Sequence, residues 1–181
     1  LHVYDLGGAE LQHLPVGRLN NVDLRQGVPW AGAHLDLAAA TNRTDQTITL
    51  FRIEADGRAV HLAGDAIASG LTEPYGLCLY FAPREETLYL FANDKDGRYR
   101  QWRLTPAEAD PERVAAELLR EFRLDSQPEG CVVDDARAVL YLGEENQGLW
   151  RASADPQAPF EPRLLDRTGD GRLVADVEGM S

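Results

Sequence analysis

No stretch of this chain approaches the ~20 consecutive apolar residues that a membrane-spanning helix requires, so no segment reads as crossing a bilayer in that way. No secretory leader is visible either, but a cut N-terminus would have removed one. Because Leu1 rather than Met stands first and a repeating pattern breaks off at Ser181, the chain is expected to be a segment of a longer one. Secretion therefore stays open. Positive charge is scarce: 18 Lys and Arg face 30 Asp and Glu, for a net charge of −12. Nucleic acid and anionic lipid carry the same sign, which argues against both as partners and favours cations. Histidine and cysteine are few. His2, His13, His34 and His61 show no ligand spacing, and two cysteines alone cannot make a tetrahedral zinc site. Cys78 and Cys131 each lie inside an apolar run, and spacing alone leaves both buried free thiols and a disulfide between neighbouring strands open.

What the chain does contain is repetition. Glu73-Pro74-Tyr75-Gly76-Leu77-Cys78, Gln127-Pro128-Glu129-Gly130-Cys131 and Ala175-Asp176-Val177-Glu178-Gly179 share a layout, and their glycines recur roughly fifty residues apart. Leu19-Asn20-Asn21-Val22-Asp23-Leu24-Arg25 sits about one period upstream. Each start is followed by a second apolar run, at 34–40, 87–92 and 138–143, and a third, at 47–53, 99–104 and 148–152. A weaker fourth run falls at 59–63 and 161–165, and Asp56-Gly57 and Asp96-Gly97 supply hairpin turns. Four short strands per period predict an all-β protein, a β-propeller of four-stranded blades. Three full blades are expected, preceded by the outer strands of another (2–6 and 10–14) and followed by the start of a fifth unit. Residues 1–181 are thus expected to be part of a single propeller domain truncated at both ends, since an open stack exposes sheet edges. One region conflicts. Thr105 with Glu108 makes a helix capping box and 114–122 is rich in helix formers, whereas the repeat demands an outer strand at 114–124. The strand is expected to prevail, because tertiary context overrides propensity.

The repeat aligns polar residues as well. Tyr75, Glu129 and the Asp176/Glu178 pair begin the first strands; Arg43, Lys95 and Glu145 end the second strands. Side chains at equivalent blade positions converge, and converging carboxylates repel one another unless a cation joins them. Carboxylate oxygens from several loops suit calcium. Arg43 and Lys95 add fixed positive charge fit for phosphate, and no nucleophile stands out, which points to metal-assisted attack of water on a phosphoester.

At these residues the sequence resembles a known family. The blocks Leu19 to Arg25, Ala38-Ala39-Ala40-Thr41-Asn42-Arg43, Glu73 to Leu77, Gln127 to Cys131, Tyr141-Leu142-Gly143-Glu144-Glu145 and Asp176 to Gly179 resemble the calcium-dependent β-propeller phytases, in that family's order. The resemblance implies a six-bladed propeller that releases phosphate from myo-inositol hexakisphosphate. It also implies several calcium ions that overcompensate an acidic rim, hold the substrate's phosphates and acidify water for in-line attack. Carried over residue by residue, Glu129, Glu145, Asp176 and Glu178 look like calcium ligands. Asn21, Val22 and Asp23 fall in a block that helps a calcium site. Tyr75, Glu129 and Glu145 look like the catalytic set, and Arg43 and Lys95 like phosphate contacts. The implied protein is a secreted or periplasmic monomer acting on calcium-phytate, without nucleic-acid or membrane partners. The family's N-terminal acidic block, its paired lysines and its C-terminal calcium ligands have no counterpart among these residues.

Other motifs lead elsewhere. Cys131 and Arg137 match the spacing of cysteine-dependent phosphatases, but Asp134 and Asp135 inside that loop would repel phosphate. Asp94 to Gly97 and Asp166 to Gly171 read as turns, and Asn42-Arg43-Thr44 as a coincidental glycosylation sequon. Two rival functions are a calcium-dependent propeller lactonase or esterase, which has no particular use for Arg43 and Lys95, and a non-enzymatic propeller platform, for which aromatic rim patches are expected.

Overall fold

The three repeats fold as three antiparallel sheets, the first of five strands and the other two of four, with a short hairpin ahead of them. This computed structural model describes residues 1–61, 66–170 and 172–180. The hairpin pairs β1 (His2–Tyr4) with β2 (Glu10–His13). In the first sheet β3 (Leu19–Trp30), β4 (Ala33–Asn42), β5 (Thr47–Ile53) and β6 (Ala59–His61) lie in chain order, and β7 (Ile67–Ala68) also pairs with β5. The second sheet holds β8 (Pro74–Ala82), β9 (Thr87–Asp94), β10 (Arg98–Ala107) and β11 (Asp110–Arg123). The third holds β12 (Pro128–Asp134), β13 (Val139–Glu144), β14 (Gly148–Ser153) and β15 (Arg163–Arg167). The all-β expectation is met, with no helix among the described residues. Of the expected outer run 59–63, Leu62 and Ala63 lie outside the described residues, as does Gly171 of the turn expected at 166–171.

The second sheet is covered on both faces, which explains why β8 and β9 read as nearly continuous apolar runs. Side chains alternate across a strand. Leu77 and Leu79 of β8, with Leu88 and Leu90 of β9, pack toward the first sheet among Leu37, Ile48 and Trp30. Cys78, Tyr80, Tyr89 and Phe91 face the third sheet, among Val133, Leu140 and Leu142. Each wholly buried Leu or Phe contributes roughly 1.5–3 kcal/mol. Between the same two sheets Cys78 and Cys131 form a disulfide, settling the question that spacing left open and removing Cys131 as a nucleophile. The hairpin closes over the first sheet, where Val3 and Leu14 meet Phe51, and Gln12 hydrogen-bonds both backbone groups of Ala59.

The contested segment is a strand. β11 pairs with β10 along its length, and Thr105 and Pro106 lie within β10. Helix propensity is a matter of tenths of a kcal/mol per residue. Against it stand a full ladder, the cross-strand pairs Arg100–Glu121 and Arg103–Glu117, and the Phe122 ring stacked between Tyr99 and Phe160. The expected hairpin turns are present as well: Gly57 and Gly97 have φ of 84° and 98°, and Asp56 and Asp96 accept from the N–H groups of Arg58 and Arg98.

Candidate functional site

The ladder registers place Asn42, Asp94 and Glu144 at one equivalent position, opposite the first residues of β3, β8 and β12. Each pins the loop that leads into its inner strand. Asn42 donates to the carbonyl of Val16 at 2.7 Å and accepts from Thr44 N–H. Asp94 accepts from the N–H groups of Thr72 and Glu73 at 2.7 and 3.0 Å and pairs with Arg98. Glu144 accepts from Ser126 N–H and hydroxyl, both at 2.7 Å, and from the Trp150 indole at 2.8 Å. Asn42 is only 3% exposed with both ends engaged, so it is no surface glycosylation acceptor.

The residue before each of these reaches across to the next repeat. Thr41 donates its hydroxyl to the carbonyl of Tyr75 at 2.7 Å, joined there by Asn20 at 3.0 Å. Asn93 donates to the carbonyl of Glu129 at 2.8 Å while accepting from Gly76 N–H at 2.9 Å. At Gly143 there is no side chain, and the carbonyl of Glu178 passes 3.5 Å from where a Cβ would stand. Tyr75, Glu129 and Glu178 therefore lie at matching points, the first two held by hydrogen bonds and the third by close backbone approach. The approach is close: a Cβ on Gly76 would fall 1.8 Å from the carbonyl oxygen of Glu129.

The residue after each pinning residue faces the same mouth. Arg43 and Lys95 lie over the Tyr75 ring, at 5.5 and 4.5 Å from its centroid. Such contacts hold a cation in place while leaving its charge uncancelled. Among the described residues no carboxylate forms a salt bridge to either cation. Glu145 is fixed by its backbone. Its N–H donates to the carbonyl of Gln127, and its own carbonyl accepts from Asp176 and Val177, drawing residues 176–180 against Gly130 and Gly143.

The electrostatics agree with this convergence. Burial pushes the Glu129 carboxyl up; the hydrogen bond from Gln127 opposes this, the charges of Glu178 and Glu145 push further up, and Lys95 pulls down. Tyr75 is likewise raised by burial, then by the charges of Glu129 and Glu178, with Arg43 opposing. Six of the residues singled out in the sequence, Tyr75, Glu129, Glu145, Glu178, Arg43 and Lys95, thus act on one another. Asp176 joins them through its backbone, with φ of 78°. The block Asn21, Val22 and Asp23 is placed differently. Asp23 accepts from Leu79 N–H at 2.8 Å and pairs with Arg25, further along the inner strands, and Val22 is 57% exposed. Asn20, Thr41, Asn93 and Gln127 were missed in the sequence. Asn20, Thr41 and Gln127 lay inside the blocks that carry the resemblance without being singled out, and the one signal for Asn93 was its place two residues before Lys95.

The donor set fits a hard cation in kind: carboxylates from separate repeats, with Glu129 only 6% exposed and raised by its neighbours. Among the described residues no three His, Cys, Asp or Glu side chains stand close enough to form a ready metal cluster.

A chain of repeated antiparallel sheets, with two fixed cations, a tyrosine and several carboxylates at the strand ends, defines an all-β protein with an ionic mouth. The phytase family model matches residues 1–181, and the chain belongs to that family. It is 34% identical to the 3-phytase of Bacillus subtilis (strain 168), over all of this chain and 48% of the relative. The chain thus spans about half the length of the curated relative it matches. Among solved structures it resembles a functionally unknown protein from Desulfotomaculum acetoxidans DSM 771, with a TM-score of 0.63 at 16% identity, covering 92% of this chain and 50% of that one.

Proposed function

We propose that the full-length protein is a calcium-dependent phytase: a phosphomonoester hydrolase that releases phosphate from myo-inositol hexakisphosphate. The observation that carries this reading is Arg43 and Lys95 held over the Tyr75 ring beside Glu129, with no carboxylate salt-bridged to them among the described residues. Fixed cations free of salt bridges, beside a carboxylate raised by its acidic neighbours, suit a ligand that is strongly anionic and arrives with metal. We assign residues 1–181 to part of one propeller domain, six-bladed in the whole protein, which acts as a secreted or periplasmic monomer.

Glu129, Glu145, Glu178 and Asp176 would hold calcium. When bound, the ions would supply charge neutralisation and Lewis acidity toward the phosphate oxygens. The chain's own residues orient the reaction. Arg43 presents a planar fork and Lys95 a compact charge to the phosphate oxygens, favouring the charge that builds as water adds to phosphorus and the ester P–O bond breaks. Tyr75 fixes both cations through its ring, and the Gln127 amide keeps the Glu129 carboxylate in place.

The test is phosphate release from phytate by the full-length protein, with and without a calcium chelator. Activity should vanish in chelator and return with added calcium. Arg43→Ala and Lys95→Ala should each lower kcat/KM for phytate by about 10–100-fold, the worth of a charge-assisted hydrogen bond. Lactone hydrolysis without phytate hydrolysis, or full phytate hydrolysis in excess chelator, would overturn the reading. A binding platform is excluded if Glu145→Gln abolishes phosphate release while ligand binding persists.

A further inference from the structure

A second cavity lies between the second and third sheets, at the opposite ends of the inner strands. It has a volume of about 310 Å3, within the range of small-molecule sites. Tyr80 lies five residues beyond Tyr75 in β8, so the two places are roughly 17 Å apart along the strand. Tyr80 and Tyr89 stack at 5.5 Å and form one wall. They are 5% and 8% exposed, yet neither phenolic hydroxyl hydrogen-bonds to another described residue. The hydroxyls themselves are not enclosed: among the described residues the buried side-chain atoms without a partner are Arg98 Nε and the Tyr99 hydroxyl. Tyr80 and Tyr89 instead belong to a wall that opens into a cavity.

The remaining walls carry mixed charge. Glu85 and Asp155 supply acceptors, with one oxygen of Asp155 already taken by Gln157 N–H, while a third lining carboxylate, Asp135, is neutralised by its pair with Arg25. Arg84 and Arg137 supply donors, although Arg137 also pairs with Asp134. An anion here would meet the carboxylates and a cation the guanidinium groups, so neither sign is favoured. A neutral ligand with many hydroxyl groups satisfies both, because each hydroxyl donates once and accepts twice.

We infer that this cavity binds a small neutral polyol, a monosaccharide or cyclitol ring, at a site separate from the ionic mouth. The inference stands apart from the phytase reading, since it uses none of the mouth's residues. Myo-inositol and D-glucose, titrated separately into the full-length protein by calorimetry, are the probes. At least one should bind at a single site. Tyr80→Phe, which removes only a hydroxyl, and Asp155→Asn, on an exposed loop, should each weaken that binding about fivefold, the worth of one hydrogen bond. Glu145→Gln, in the mouth, should leave it unchanged. If Tyr80→Phe does not fold, Asp155→Asn decides. The inference is overturned if neither probe binds or if Glu145→Gln alone weakens binding. It is equally overturned if calcium chloride or inorganic phosphate binds in a manner sensitive to Asp155→Asn.

Discussion

Asp94 is almost wholly buried, and burial alone would push its carboxyl upward. The N–H groups of Thr72 and Glu73 and the guanidinium of Arg98 outweigh that and hold it below the usual aspartate range. It stands next to Lys95, so what it fastens is the loop that leads to Tyr75, the ring beneath the Lys95 ammonium. A carboxyl whose pKa is depressed in the folded state contributes stability above its unfolded value, near pH 4, and loses it as the pH falls through the folded value. Asp94→Asn keeps an acceptor but removes the charge. It should cost about 1–3 kcal/mol at pH 7 by urea unfolding of the intact protein. The deficit relative to wild type should shrink below pH 4, where the native carboxylate is protonated too. A deficit that stays constant with pH would mean that packing, and not charge, is what Asp94 supplies.

At the scale of the elements, the tightest constraint is the crossing of β8 and β12 at Gly76. A methyl there would overlap the carbonyl of Glu129 and crowd the side-chain amide of Asn93, at 1.8 and 2.5 Å. Gly76→Ala must displace one inner strand from the other and so move Tyr75 relative to Glu129. The expected loss is at least about 1–3 kcal/mol of stability from overpacking, together with phosphate-releasing activity, read by urea unfolding and phytate assay of the same preparation. Wild-type activity in that variant would show that the two strands need no fixed spacing. The sequence made much of this level legible. Apolar runs separated by turn residues gave the strands of each repeat, because a strand buried on both faces leaves a dense apolar signature. β11 was harder, since Glu117, Leu118 and Leu119 favour helix by themselves and only the neighbouring β10 makes them a strand. Thr41 and Asn93 were not legible as parts of the site. Their partners are backbone carbonyls of the next repeat, and a carbonyl has no identity in a sequence. The disulfide was undecided for a related reason, since its pairing depends on which faces of β8 and β12 meet.

Across the whole molecule, Arg25 does what no local pattern announces. From β3 it pairs with Asp23 of its own strand at 3.0 Å and with Asp135, beyond β12, at 2.7 Å, and it donates to the carbonyl of Leu79 in β8 at 2.6 Å. Asp135 in turn accepts from Phe81 N–H, and Asp23 from Leu79 N–H. One guanidinium thus ties all three sheets together at their inner strands. Burial works against the charged form of Arg25, but the two carboxylates more than compensate and hold its pKa above the ordinary arginine value. Removing the cation leaves both carboxylates half-buried and facing each other. Arg25→Met, which keeps the packing length, should therefore cost about 3–5 kcal/mol. Much of that cost is unpaired acid rather than a lost bond, so Asp23→Asn and Asp135→Asn added to Arg25→Met should recover part of it. Urea unfolding of the single and triple variants of the full-length protein measures both quantities. A triple variant less stable than Arg25→Met alone would show that the carboxylates act through their own contacts to Leu79 and Phe81, and that Arg25 is not what joins the sheets.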